Sequence, residues 1–274
     1  WECVGVGRSV SRCDDARRRI AARGIAGRLR FDAADLSSQR EVRELARRLD
    51  PAIARAESIA LVLNAAHVGS WYETTEDGLE KQFAVNHLAG FLLTHEIVAS
   101  LLTRERCDAQ MDWPELRVVT VSSGSHRHGR MHWPDVNLRS RYGTLRAYAQ
   151  SKLANVLFTM RLRRVLAPLP TVAAVAVDPG LVDTSLGQKA TSGLARSIWK
   201  LRRGAGRPAS EAAASIVALL DLPVDALRGA AYWYDAAPLE PARRAHSTAD
   251  ATLLWELSNR LCGTGEGWTL AAGR

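Results

Sequence analysis

Residues 116–123 read LRVVTVSS and residues 147–162 read AYAQSKLANVLFTMRL; together they decide the fold. The first is a mainly apolar, β-branched run that ends at two serines, which is the pattern of a buried strand. The second belongs to a helix over about 145–165. A further apolar run follows, TVAAVAV (171–177), broken by Asp178-Pro179-Gly180. Strand, long helix and strand in that order need a crossover, and a crossover makes the two strands parallel.

Working outward, the same alternation continues on both sides. Upstream, ECVGVG (2–7) reads as a buried strand followed by a basic helix over about 11–23. GRLRFDA (27–33) is a second strand, and a helix over 38–49 starts after a serine-rich cap. SIALVLN (58–64) is a third strand, running into Asn64-Ala65-Ala66. Between about 78 and 102 the apolar residues Phe83, Val85, Leu88, Phe91, Leu92, Ile97 and Leu101 recur with helical spacing. Downstream, a loop and amphipathic helices fill roughly 184–221, AAYWY (230–234) is a last strand, and 246–261 is a closing helix. The alternation predicts one α/β domain with a doubly wound parallel sheet covered by helices on both faces, over 1–262, and a flexible tail over 263–274. Right-handed crossovers put the carboxyl ends of all strands on one edge, where the ligand crevice of such sheets lies. Asn64, Ser123 and Pro179-Gly180 follow three different strands, so all three face that crevice.

Tyr148 and Lys152 stand four apart on the central helix, which places phenol and ammonium one turn apart on one face. Only four of the 37 basic residues are lysines, so a plain surface charge here would normally be an arginine. An ammonium close to a phenol favours the phenolate and makes the tyrosine able to exchange a proton with an alcohol or carbonyl oxygen. Ser123 adds a neutral hydroxyl to hold the same oxygen. Proton traffic on oxygen suits hydride transfer at the adjacent carbon, which needs a nicotinamide-type cofactor.

Composition is that of an ordinary globular chain, with 274 residues, 47% hydrophobic and 24% charged. The formal net charge is +8. Its arginines are spread over many helices with acids interleaved, and no zinc-finger or RNA-recognition motif accompanies them, so nucleic acid is not the expected partner. Cys3, Cys13, Cys107 and Cys262 are scattered without metal-ligand spacing and read as reduced thiols, hence a cytoplasmic setting. No run of 18 apolar residues occurs. His126, His128 and His132 lack a carboxylate at ligand spacing and read as a surface loop, so no metal site is expected.

FAVNHLAGFLLT (83–94), RVVTVSSGSH (117–126), YAQSKLANVLFT (148–159) and DPGLVDTSLG (178–187) resemble, in order, the landmarks of the short-chain dehydrogenase/reductases, and most closely their retinol-dehydrogenase-like branch. The resemblance covers nearly the whole chain. It implies a Rossmann-like, three-layer fold and an NAD(P)-dependent oxidoreductase acting on a small, apolar alcohol or carbonyl compound. It also implies roles. Tyr148 would be the general acid/base, Lys152 would bind the nicotinamide ribose and depress the Tyr148 pKa, Ser123 would orient the substrate oxygen, and Asn86 would hold a proton-relay water. Pro179, Gly180 and Thr184 would line the nicotinamide, Asn64 and Ala65 the cofactor crevice, and Asp32 with Ala33 the adenine. Arg8 stands where this branch pairs an arginine with the 2′-phosphate of NADP, making NADP the preferred cofactor over NAD. Family members often form a homodimer through the helices at 78–102 and 145–165. The basic and apolar stretch WKLRRGAGR (199–207) suits peripheral contact with an anionic membrane.

The chain departs from the family in three places. The T-G-x-x-x-G-x-G turn that holds the cofactor pyrophosphate is not in this sequence, and ECVGVGR looks like the family's second strand. The expectation is an N-terminally truncated sequence, short of one strand–turn–helix unit of roughly 30 residues, with a slot in mid-sheet. LNAA (63–66) replaces the usual N-N-A-G, and Asp178 precedes Pro179-Gly180, where it would weaken cofactor binding if it faced a phosphate. A non-catalytic binding or scaffold protein that has lost its cofactor is the alternative function.

Overall fold

The computed structural model describes residues 1–24, 28–107, 112–183, 206–265 and 268. In chain order these form β1 (Cys3–Gly7), α1 (Val10–Ala21), β2 (Leu29–Ala33), α2 (Gln39–Ile53), β3 (Ser58–Leu63), α3, β4 (Glu115–Val121), α4 (Thr144–Val165), β5 (Val172–Asp178), α5 (Ala209–Leu220), α6 (Val224–Arg228), β6 (Tyr232–Tyr234), β7 (Ala237–Pro238) and α7 (Thr248–Cys262). α3 is compound: Lys81–Phe83 passes through a π-turn, Ala84–Leu88, into Ala89–Cys107.

β4 and β5 are buried along almost their whole length, and their alternating side chains feed two cores. Leu116 and Val118 of β4, with Val172, Ala174 and Ala176 of β5, pack under α2, α3, α4 and α7. Val119 and Val121, with Ala173, Val175 and Val177, pack under α5, α6 and Trp233. Two-sided burial explains why β5 carries an unbroken apolar run over 172–177 rather than alternation. α4 is enclosed all round from Ala147 to Thr159, and that is why its polar residues find partners inside the protein. α3 is long and apolar enough, over Lys81–Glu105, to cross a membrane by length and composition alone. It packs on α2 and α4 instead, with 72% of its apolar window buried, as suits a core helix.

Five strands form one sheet in the order β3-β4-β5-β6-β7, parallel except for the last. β1 and β2 form a separate parallel pair. The parallel α/β architecture expected from the sequence is present, and so is the slot: β1 and β3 do not pair with each other. Every residue of β3 is only partly buried, in contrast to β4 and β5.

Two elements are absent from the sequence reading, the short α6 and the antiparallel β7. β6 and β7 are joined by Asp235 and Ala236, both in the left-handed region at φ 48° and 62°, the backbone of a tight hairpin turn usually given to glycine or asparagine. The strain is borne because Arg207 and Ser215 both donate to the Asp235 carboxylate, at 2.6 and 2.7 Å. Within 263–274, expected as a flexible tail, Trp268 is buried: it packs on Phe91, His95 and Trp255 and donates to Asn259 Oδ1 at 3.1 Å.

Candidate active site

Lys152 lies inside the protein with only 2% of its surface exposed. Its amine donates to the carbonyl of Val121, the last residue of β4, at 3.0 Å, and stands 5.6 Å from the centroid of the Tyr148 ring. Asn155, one turn further along α4, donates to the same carbonyl at 3.2 Å. In return, the hydroxyl of Ser122 donates to the carbonyl of Lys152 at 2.9 Å. The helix carrying the Tyr/Lys pair is thus stitched in both directions to the strand end that presents Ser123. Burial pulls the Lys152 pKa down to about 8, and the negative charge of Asp178 opposes that fall.

Asn86 sits in the π-turn of α3, a helical irregularity frequent at functional sites. Its Oδ1 accepts from His67 N at 2.6 Å, while Nδ2 donates to His67 O at 3.1 Å and to Ser151 Oγ at 3.0 Å. Ser151 Oγ in turn donates to the carbonyl of Tyr148 at 2.8 Å. One hydrogen-bonded path therefore runs from the loop after β3, through α3, to the tyrosine. The side chain expected to hold a relay water is bonded to protein partners through both its oxygen and its nitrogen.

Ser123 is half-buried and caps a 3₁₀ turn, Gly124–His128, its hydroxyl accepting from Ser125 N at 3.2 Å. Asp178 closes β5 and faces inward. It accepts from Gly180 N at 2.9 Å and from the Tyr232 hydroxyl at 3.4 Å, and its carboxylate lies so close to Gly124 that a Cβ there would stand 3.3 Å away. Only 6% of its surface is exposed. Gly180, at φ +77°, adopts the left-handed backbone that favours glycine. Arg207 holds this loop: its Nε and Nη2 donate to Pro179 O at 2.9 and 2.6 Å. Of the stretch 199–207 expected at a membrane surface, 199–205 lie outside the described residues, and Arg207 is turned onto Pro179 and Asp235. Thr184 also lies outside them.

The residues assigned to the far end of the cofactor lie at the ends of β1, β2 and β3. Arg8 is exposed just past β1 and acts electrostatically on Asp35, His67 and Glu73. The Asp32 carboxylate pairs with Arg30 at 2.9 Å, and the carbonyl of Ala33 accepts from Arg48 at 3.1 Å. Asn64 and Ala65 are exposed at the end of β3. Leu63, which replaces a polar residue of the family pattern, fills space against α3, where a Cβ on Gly90 would come within 3.0 Å of it.

The histidines of the 126–132 loop part company. His128 is exposed, as a surface loop predicts, but His126 is fully buried. Reading them as one surface group missed this, because periodicity carries no information in an irregular segment. Ser122, Asn155 and Arg207 were also missed. Asn155 left a signal, a carboxamide inside an otherwise apolar helical stretch; the other two left none.

The donor set fits the nicotinamide-ribose end of a dinucleotide. A protonated lysine has three N–H donors, and among the described residues Val121 O is the acceptor for one of them. The pyrophosphate-holding turn is not among these residues.

The family model described as short chain dehydrogenase matches residues 1–195. Retinol dehydrogenase 13 of Mus musculus is 36% identical over 182 residues, covering 66% of this chain and 51% of that protein. The chain thus spans about half the length of that relative. Polyprenol dehydrogenase of Mus musculus is 33% identical over 270 residues, 97% of this chain and 78% of that protein. Among solved structures, an uncharacterized protein from Mycobacterium Paratuberculosis aligns with a TM-score of 0.62 at 30% identity, covering 96% of this chain and 84% of that one. NADPH-bound carbonyl reductase from chicken fatty liver aligns at 0.55 with 14% identity, over 86% and 85% of the two chains, a likeness of fold alone. The Tyr/Lys helix stitched to the serine-bearing strand and the π-turn asparagine tied to it agree with these matches: the chain belongs to the short-chain dehydrogenase/reductase family, in its retinol-dehydrogenase-like branch.

Proposed function

We propose that these residues carry the proton-transfer and nicotinamide-ribose portion of an oxidoreductase that interconverts an alcohol with an aldehyde or ketone. The observation that carries the proposal is the buried Lys152 amine, pinned to Val121 O beside the Tyr148 ring. When bound, the nicotinamide supplies or accepts the hydride at carbon. Tyr148 gives a proton to the carbonyl oxygen in reduction and takes it back in oxidation. Lys152 contributes its charge beside the phenol and two N–H donors for ribose hydroxyls. Ser123 holds the substrate oxygen as its charge changes. Asn86 keeps α3, Ser151 and Tyr148 in register. Arg8, exposed and cationic, supports NADP over NAD, and the names of the retinol and polyprenol dehydrogenases support an apolar substrate. Homodimer formation and peripheral membrane contact are further proposals from the sequence, readable by sedimentation and liposome flotation.

NADPH-dependent reduction of a panel of apolar aldehydes and ketones by the full-length protein is the expected activity. In Tyr148→Phe it should fall by at least about a hundredfold, the general acid/base contribution, and equal turnover in that variant would overturn the assignment. A second reading is a binding protein without catalysis. NADPH that fails to bind the full-length protein would select it.

A further inference from the structure

We infer that His126 is the positioning residue of the active-site serine, holding the Ser123 peptide through one fixed tautomer of a buried, neutral imidazole. This rests on the role of Ser123 proposed above.

The ring is fully buried and both nitrogens are engaged. Nε2 lies 3.0 Å from the backbone nitrogen of Ala242. That N–H can only donate, so Nε2 must present its lone pair and the proton must sit on Nδ1. Nδ1 lies 2.8 Å from the carbonyl of Ser123, which can only accept. The two backbone groups thereby dictate the tautomer. A charged ring would have to give up the Ala242 bond, and burial together with the neighbouring charges of Arg127 and His128 acts against that form, with Asp178 acting for it. The same Ser123 carbonyl also accepts from the backbone N–H of His126 at 2.9 Å. Both acceptor positions of the serine carbonyl are therefore taken by one residue, which sets the plane of the peptide from which the reactive hydroxyl projects.

The imidazole also joins the serine to the neighbouring loop. Its ring packs on Tyr232 with centroids 4.9 Å apart, and the Tyr232 hydroxyl donates to Asp178, which holds Gly180. Ala242, 116 positions beyond His126 in sequence, thus helps to place Ser123.

Asparagine and glutamine separate the two halves of this bridge. His126→Asn can keep a donor where Nδ1 stands but cannot reach Ala242. His126→Gln can keep an acceptor for Ala242 but removes the donor to Ser123. In the full-length protein, His126→Asn should leave kcat within about threefold of the parent, while His126→Gln lowers it by roughly ten- to a hundredfold, the cost of a misplaced reacting group. KM for NADPH should be unchanged in both. In a Ser123→Ala background, His126→Gln should cost nothing more. The reverse ranking of the two variants, or full additivity with Ser123→Ala, would overturn the inference. Nitrogen-15 NMR of histidine-labelled protein reads the tautomer without any turnover: hydrogen on Nδ1 is expected at neutral pH, and hydrogen on Nε2 would sink the idea whatever the kinetics. If the spectrum is as expected but Ser123→Ala keeps full kcat, the role given to Ser123 is wrong, and the positioning argument falls with it.

Discussion

Lys152 holds its charge against burial. Its pKa falls from 10.5 to about 8, so keeping the ammonium protonated costs roughly 3 kcal/mol relative to water. That cost is what remains after the charge of Asp178 has opposed the effect of burial. Loss of the Lys152 proton should therefore form the alkaline limb of the kcat/KM profile, near pH 8, since that profile reports groups in the free enzyme. Asp178 raises the Lys152 pKa, so Asp178→Asn should move the limb to lower pH; an unmoved limb would show that another group titrates there. The Tyr148–Lys152 pair was legible in the sequence because a four-residue spacing on a helix is a local property. The orientation of Asp178 was not, because the Tyr232 hydroxyl that meets it comes from another strand.

At the level of the element, α3 depends on a buried cap. Glu80 is 1% exposed and accepts from Gln82 N at 2.9 Å and Phe83 N at 2.7 Å, satisfying two of the donors that open the helix carrying Asn86. Burial raises its pKa from 4.5 to about 7, outweighing those two hydrogen bonds. The folded protein then retains this proton over a range in which the unfolded chain has released it. Stability should accordingly fall as pH rises from 4.5 through 7, by roughly 3 kcal/mol from this group, and recover as pH is lowered. Glu80→Gln should flatten that dependence, as read by urea midpoints at pH 5 and pH 8; parallel profiles for the two proteins would refute it. The helix itself could be read from its apolar period. Its π-turn could not, because one extra residue per turn scarcely disturbs the spacing of Phe83, Leu88, Phe91 and Leu92, while contacts with His67 and Ser151 hold Asn86 in place there.

For the molecule as a whole, the unpaired edges of β1 and β3 divide the described structure into parts of unequal security. β4 is paired on both sides and buried, whereas β1 and β3 each lack a partner on one side. Backbone groups left without partners must be met by water, so these strands should open locally at lower free energy than the core. Hydrogen exchange on this chain should show amides of β1 and β3 exchanging well before those of β4 and β5. Uniform protection across all four would contradict the split sheet. The β1–β2 pair and α1 should also be the first part lost on heating.

Periodicity, strand-ending residues and short spacings were enough to assign the parallel α/β class, most element positions and the Tyr148–Lys152 pair, because each is a local property of the chain, whereas the role expected of Asn86 came from the family resemblance. Folding alone decided the burial of Lys152, the tautomer of His126, the inward turn of Asp178 and the clamp of Arg207 on Pro179. Each of these is set by desolvation and by donors and acceptors from distant parts of the chain, and no local pattern encodes which partner will meet them.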